Sequence, residues 1–167
     1  MECVTENRVT VRRAVESDDA VLLAIDSFAW DASSGFPSFG AADHDTFFTE
    51  ARGPDAHLVA EIDGNVVGYL RLENKYPFEE GAGVLAINGV AVTASARGQG
   101  VGSALLDAAT AEGKRRGARK LTLNVHSTNL GARRLYERHG YVIEGTHPQE
   151  FLIEGNYIDK LSLAKFL

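Results

Sequence analysis

The segment Arg97-Gly98-Gln99-Gly100-Val101-Gly102 has the composition of a turn that grips a phosphate. It lies between an apolar strand-like stretch, Val84 to Val92, and a helical pattern carried by Val101, Ala104, Leu105, Ala108 and Ala109. A helix start has backbone N–H groups without intrahelical partners and carries the positive end of the helix dipole, so it attracts an anion. Glycines let the backbone approach that anion and take positive φ. Arg97 adds a guanidinium fork suited to phosphate oxygens, and Ser103 falls in the first helical turn. The arrangement suits a pyrophosphate. A tight strand-to-helix turn with no ligand is the alternative, although three glycines in five residues exceed what a turn needs.

Two phosphate motifs fail here. A P-loop requires a lysine before Ser/Thr, and Val101-Gly102-Ser103 has none. A dinucleotide fingerprint begun at Gly98 puts its third glycine on Ser103, and the strand Leu121 to Val125 does not end in a ribose-binding acid.

A second group lies downstream. Asn129 and Tyr136 are seven residues apart, two helical turns, so they share a face with the small Ala132. A phenol can donate a proton to a developing thiolate; equally, Tyr136 can be a core residue. His126, His139 and His147 are bases by residue type, and His126 ends a strand that should border the groove. No H-x-x-x-H or H-x-E pairing exists, so no metal site is expected. Cys3 is the only cysteine and falls in a terminus expected to fray, which argues against both disulfides and a thiol nucleophile.

Val90-Ala91-Val92 followed by Arg97-Gly98-Gln99-Gly100-Val101-Gly102 resembles the R/Q-x-x-G-x-G/A signature of the GNAT superfamily of acyl-CoA N-acyltransferases. The stretch Asn129 to Tyr141 resembles that family's second cofactor segment, N-x-x-A-x-x-x-Y-x-x-x-G-F/Y. The resemblance spans about residues 9 to 166. It implies acetyl-CoA as acyl donor and direct attack by an acceptor amine, with no acyl-enzyme. It implies that Val90, Ala91 and Val92 meet the pantetheine, one of their N–H groups polarising the thioester. Arg97 through Ser103 would hold the diphosphate, and Asn129, Ala132 and Tyr136 would complete the cofactor site. Asn129 and Tyr136 are the expected catalytic pair, Tyr136 as general acid. Many relatives carry a glutamate on the strand before the glycine turn; here that position is about Ala86, and Val84 to Val92 contains no Asp, Glu or His. The base is then a water chain to a more distant acid such as Glu73, Glu79 or Glu80, or the amine deprotonates on entering a low-dielectric cleft. A catalytically inactive CoA-binding regulatory protein, or a nucleotide-binding protein unrelated to CoA, are the competing readings.

The acceptor site is expected between the first two helices and the last hairpin. Phe28, Trp30, Phe36, Phe39, Phe47 and Phe48 crowd that region with Asp31, Asp43 and Asp45, a composition suited to a cationic amine. At least half of those aromatics should be core. A small-molecule amine is the first expectation, a protein N-terminus or lysine the second.

These groups need a frame. Val9 to Arg12 alternates as a strand; Ser17 or Asp18 caps a helix whose face is Val21, Leu22, Ile25 and Phe28. Residues 33 to 40 read as an irregular loop and Asp45 to Ala51 as a short second helix. His57–Ile62 and Val66–Leu72 form a hairpin around Asp63-Gly64-Asn65. Gly117 ends the helix begun at Val101; Lys120 to Val125 is a strand; Asn129 caps a helix ending at His139-Gly140. Tyr141 to Glu144 and Tyr157 to Leu163 complete the order β-α-α-β-β-β-α-β-α-β-β. The expected fold is α/β: a single GNAT-like domain over 9–167, with a mixed, mostly antiparallel sheet of six to seven strands flanked by about four helices. Residues 1–8 are expected to be a flexible N-terminus.

The chain of 167 residues has 44% apolar and 24% charged residues, an ordinary globular balance for one domain. Its net charge of −6 argues against nucleic acid, since phosphate neutralisation needs a basic face; Lys114-Arg115-Arg116 and Arg133-Arg134 are local exceptions. No leader pattern or membrane-length apolar run is present, so the chain is expected to be cytoplasmic. A homodimer is an expectation carried only by the habits of the family.

Overall fold

The computed structural model describes residues 9–32, 34–40 and 44–167. Eleven elements follow the order read from the sequence: β1 (Val9–Arg13), α1 (Asp19–Ala29), α2 (Pro37–Gly40), β2 (His57–Ile62), β3 (Asn65–Asn74), β4 (Val84–Val92), α3 (Val101–Arg115), β5 (Lys120–His126), α4 (Leu130–Arg138), β6 (Val142–Ile153) and β7 (Asn156–Phe166). The seven strands form one sheet in the order β1-β2-β3-β4-β5-β7-β6. β4 and β5 are parallel and every other pairing is antiparallel.

Local chemistry explains the connections. Asp63 and Gly64 both take positive φ, 51° and 79°, which a two-residue turn needs if its twist is to match the flanking strands. Glu154 and Gly155 repeat this between β6 and β7, at 50° and 79°. Gly117 at φ 71° ends α3 as expected.

The sheet carries two apolar layers. On one face Val101, Leu105, Leu106 and Ala109 of α3 and Tyr136 of α4 pack against Leu70, Leu85, Ile87, Leu121, Leu123 and Leu163. On the other, Leu22 and Ile25 of α1 join Phe48, Val59, Tyr69 and Ala91. Each fully buried aliphatic of this kind contributes roughly 2 kcal/mol. At the end of α3, buried Glu112 collects Arg13, Arg115 and Arg116 at 2.7–2.9 Å, joining that helix to β1.

Three sequence expectations change. The face of α1 is Leu22 and Ile25 with Asp26 and Ala29; Val21 lies at its margin and Phe28 is 90% exposed. The second helix is Pro37–Gly40, inside the stretch read as irregular. Residues 45–51 are instead a loop closed by a bridge between Thr49 and Arg52, and Asp19 Oδ1 accepts the Phe47 and Phe48 N–H groups, pulling their rings into the core. The final hairpin is far longer than read. β6 is the outer strand, and its pairing shifts register between Ile143 and Gly145 and again between His147 and Phe151. Pro148 and Gln149, at φ 51°, interrupt the alternation there.

Candidate active site

β4 and β5 pair only from Val84↔Lys120 to Ile87↔Leu123. Both strands run on, β4 to Val92 and β5 to His126, without pairing with one another. A bulge at Asn88, where β3–β4 pairing passes from Gly89 to Ile87, marks the root of the divergence.

The direction of the free backbone groups follows from ladder alternation. Thr93 N–H donates to Val67 O at 2.8 Å. Those residues are opposite in the β3–β4 register, so Ala91↔Tyr69 and Gly89↔Arg71 are the bonded pairs. Val90 and Val92 therefore turn their N–H and C=O groups into the gap. The Arg97 guanidinium takes up one of these, donating to Val92 O at 3.4 Å. Ser127 N–H donates to Asp159 O at 2.9 Å, so on β5 it is Asn124 and His126 that face the gap.

The glycine turn lies at the open end of this gap. Gly98 and Gly100 have φ of 75° and 82°, and a Cβ on either would meet nothing within 4 Å. Gly100 is the N-cap of α3, with no side-chain cap; Ala104 N–H is the first to bond back, to Gly100 O at 3.0 Å. The N–H groups of Val101, Gly102 and Ser103 are thus the open donors of the helix start. Gly102 differs in purpose: a Cβ there would stand 3.0 Å from Leu135 Cδ2, so it sets the approach of α3 to α4. Arg97 and Gln99 are exposed beside the turn. His139 links the two helices, its Nε2 3.0 Å from Ser103 Oγ and its Nδ1 3.2 Å from Asp107.

α4 starts at the end of β5. Asn129 Oδ1 accepts the Ala132 N–H at 3.2 Å, so the asparagine is itself the helix cap. Tyr136 is 9% exposed, and burial pushes its phenol up to about 12. Tyr141 lies edge-on to it at 6.0 Å, with a buried hydroxyl that has no partner among the described residues.

The acids named as distant bases are placed differently. Glu73 pairs with Arg52 and Arg71 and accepts the Asn88 amide at 2.7 Å, at the root of the gap. Glu79 and Glu80 form a separate 3₁₀ turn ahead of β4. His147 is engaged with Ser162 at 3.2 Å. His126 is 7% exposed, its buried Nδ1 has no partner among the described residues, and burial holds its imidazole below its ordinary range. Its ring meets Phe36 at 5.2 Å and Phe151 at 5.4 Å. Of the acceptor aromatics, Phe47, Phe48 and Trp30 belong to the α1-side core, Phe28 and Phe39 are exposed, and Phe36 alone reaches the β5 side. Asp31 braces the turn at Ser34, Asp45 is exposed, and Asp43 lies outside the described residues. A cavity of about 170 Å³ on the same face, lined by Asn74, Asn88, Thr122, Asn124, Glu144 and Ser162, opens at the root of the gap. Among the described residues no group of three His, Cys, Asp or Glu could hold a metal, and no helix is long and apolar enough to cross a membrane.

Sequence reasoning missed the Asp26–Tyr69–Trp30 group. Tyr69 Oη and Trp30 Nε1 both donate to Asp26 Oδ1, the latter at 2.7 Å. The signal was present: Asp26 is four residues from Leu22, an acid inside the apolar stripe of α1.

A strand whose amides face a gap, ending at an uncapped helix N-terminus, is a receptacle for an extended chain with an anionic end. The acetyltransferase (GNAT) family profile matches residues 23–141. This chain belongs to the GNAT family. It is 34% identical over 84 residues to the uncharacterized N-acetyltransferase YhfO of Bacillus subtilis (strain 168), covering 50% of this chain and 56% of that protein. The chain thus spans about half the length of the curated relatives it matches. The crystal structure of ribosomal-protein-alanine N-acetyltransferase from Brucella melitensis superposes with a TM-score of 0.76 at 29% identity, over 95% of this chain and 99% of that one. The Salmonella typhimurium protein YncA, solved with its cofactor acetyl-CoA, has the same fold, with a TM-score of 0.76 at 22% identity over 96% and 94% of the two chains.

Proposed function

We propose that this GNAT chain transfers the acetyl group of acetyl-CoA to the primary amine of a small molecule, and that residues 9–167 form one acetyltransferase domain. The observation that carries this reading is the divergence of β4 from β5, with the Val90 and Val92 backbone groups turned into the gap at the open N-terminus of α3. An amide-bearing pantetheine arm adds to such an edge as an extra strand would. The diphosphate then falls on the N–H groups of Val101, Gly102 and Ser103, with Arg97 and Gln99 alongside and Gly98 and Gly100 leaving the approach open. Ala91, bonded to β3, lines the gap from below. Asn129 and Ala132 border the pantetheine from α4.

Within this arrangement one N–H of Val90 or Val92 polarises the thioester carbonyl as charge develops on its oxygen. Tyr136 gives its proton to the departing sulfur. Burial suits the role, because it holds the phenol neutral at physiological pH. The amine comes from the α1 side of the sheet, opposite α3 and α4.

Phe36 and Phe151 favour a small acceptor over a polypeptide. They touch edge-on at 4.7 Å, closing the space between the loop after α1 and the last hairpin where a peptide would have to lie. Acetylation of a protein N-terminus or lysine is the second reading; the Brucella protein is named a ribosomal-protein-alanine N-acetyltransferase. Homodimer formation belongs to the same proposal and is read by light scattering.

The test is a thermal shift with acetyl-CoA, then thiol release on a panel of amines and N-terminal peptides. The expected result is stabilisation by acetyl-CoA and turnover of small amines. Stabilisation without turnover of anything would favour a CoA-binding regulator; stabilisation by ATP or NAD but not by CoA would remove the assignment.

A further inference from the structure

On the α1 face a chain of side chains arches over the C-terminal half of β4. It begins with Tyr69 of β3, bonded to Asp26 Oδ1, which also accepts from Trp30 Nε1 at 2.7 Å. The Trp30 ring lies against Gly35, where an added Cβ would stand 2.8 Å from it. Phe36, next in sequence, meets His126 of β5 and Phe151 of β6. Small residues lie below the arch. A Cβ on Gly89 would sit 3.6 Å from the Tyr69 ring and 3.9 Å from its hydroxyl, and Ala91 packs in the same layer.

Asp26 is the carboxylate bonded into this arch, and it is half-buried. Both hydrogen bonds fall on Oδ1, and among the described residues Oδ2 accepts none. Most of the other buried or partly buried acids among the described residues sit beside a cation: Asp18 and Glu61 by Arg12, Glu73 by Arg71, Glu112 by three arginines. Asp19 and Asp159 lack one and accept backbone N–H groups instead, Asp19 from Phe47 and Phe48 and Asp159 from Gln149. Asp26 has no cation beside it among the described residues. A carboxylate drawn out of water calls for a positive partner. Here the side chains bonded to it are both aromatic, Tyr69 and Trp30, which favours an organic cation.

The geometry points to Asp26 as the carboxylate that receives the acceptor's ammonium and takes a proton from it, with Tyr69 and Trp30 fixing the oxygen and Phe36 and Phe151 covering an apolar frame on the amine. This rests on the acetyltransferase reading above. The ammonium gives one proton to Asp26 and the freed nitrogen attacks the thioester carbonyl. The C–N bond forms, the C–S bond breaks, and sulfur takes the proton of Tyr136. The second nitrogen proton restores Tyr136 through solvent, and Asp26 releases its own, so one proton is shed per amide formed. Asp26 is a catalytic residue in this scheme; Tyr69 is a positioning residue. The acceptor class is a primary amine on a compact apolar or aromatic frame.

Two acceptors of nearly equal shape test it: benzylamine, protonated at neutral pH, and O-benzylhydroxylamine, which is not. Asp26→Asn should lower kcat/KM for benzylamine by about 100-fold, the scale of a lost proton acceptor. The loss for O-benzylhydroxylamine should stay under about tenfold, because that nucleophile enters already neutral. KM for acetyl-CoA should hold within about threefold. Tyr69→Phe, which keeps the carboxylate, should cost about tenfold on benzylamine and little on the neutral analogue, and it serves if Asp26→Asn does not fold. Equal losses on both acceptors, or none, would overturn the role of Asp26 and leave the acetyltransferase reading standing. Wild-type inactivity on both acceptors would overturn the proposal; if acetyl-CoA also failed to raise Tm, the acetyltransferase reading would fall with it.

Discussion

Two residues of the proposed cofactor site act through opposite means, one by a group it has and one by a group it lacks. Tyr136 offers a hydroxyl that burial keeps protonated up to about pH 12. Tyr136→Phe keeps the ring packing against Tyr141 and removes the hydroxyl that donates the proton, so kcat should fall by about 10²-fold while acetyl-CoA affinity changes little. Steady-state kinetics beside calorimetric titration check this, and unchanged kcat would remove Tyr136 from the mechanism. Gly100 offers an absence. Its φ of 82° strains any other residue by about 1–2 kcal/mol, although the space beyond its Cα is open. Gly100→Val should therefore lower stability modestly and acetyl-CoA affinity by more than about tenfold, because the added side chain projects where the diphosphate is proposed to lie. Unchanged affinity would make the turn purely structural. The sequence made both positions visible, because positive-φ glycines and a phenol at helical spacing are local patterns. Asp26 shows in the sequence only as an acid within the apolar stripe of α1; its meaning depends on Tyr69, 43 residues away, arriving beside it.

At the scale of elements, the gap exists because two strands that pair over four residues then part. The unpaired amides of Val90 and Val92 should exchange with solvent quickly in the free protein and slow by more than about tenfold with acetyl-CoA, as a bonded strand edge does. Hydrogen exchange followed by mass spectrometry reads this directly, and protection confined to other strands would count against β4 as the binding edge. The order of elements was legible throughout, since strand and helix periods are strong in β4, α3 and β5. The second helix was misplaced because Phe47 and Phe48 mimic a helical apolar pair while Asp19 holds their N–H groups in a loop. The length of the last hairpin was hidden because β6 is mostly exposed and its alternation breaks at Pro148 and Gln149. Divergence itself leaves no local mark; only pairing partners reveal it.

The whole molecule is fastened at its α3 end by Glu112, whose carboxyl the arginines hold down at about 2, from an ordinary 4.5. A depressed carboxylate pKa gives stability that is complete above about pH 4.5 and is lost as pH falls toward 2. The full shift would correspond to roughly 3 kcal/mol, but Arg13 and Arg115 are more than half exposed, so roughly 1–2 kcal/mol is the expected worth. Glu112→Gln should lower Tm at pH 7 by about 3–6 °C, and its deficit against wild type should vanish near pH 2. Scanning calorimetry across that range checks the sign as well as the size. At the opposite margin, β6 leaves one long side of the sheet bare, with Val142 and Leu152 about three-fifths exposed. A straight, greasy ribbon of that length would invite copies of itself to stack into fibres. The kink at Pro148 and Gln149 denies a newcomer any continuous template, so straightening it, for instance with Pro148→Val and Gln149→Thr, should turn a dispersed protein into one that clumps on concentration.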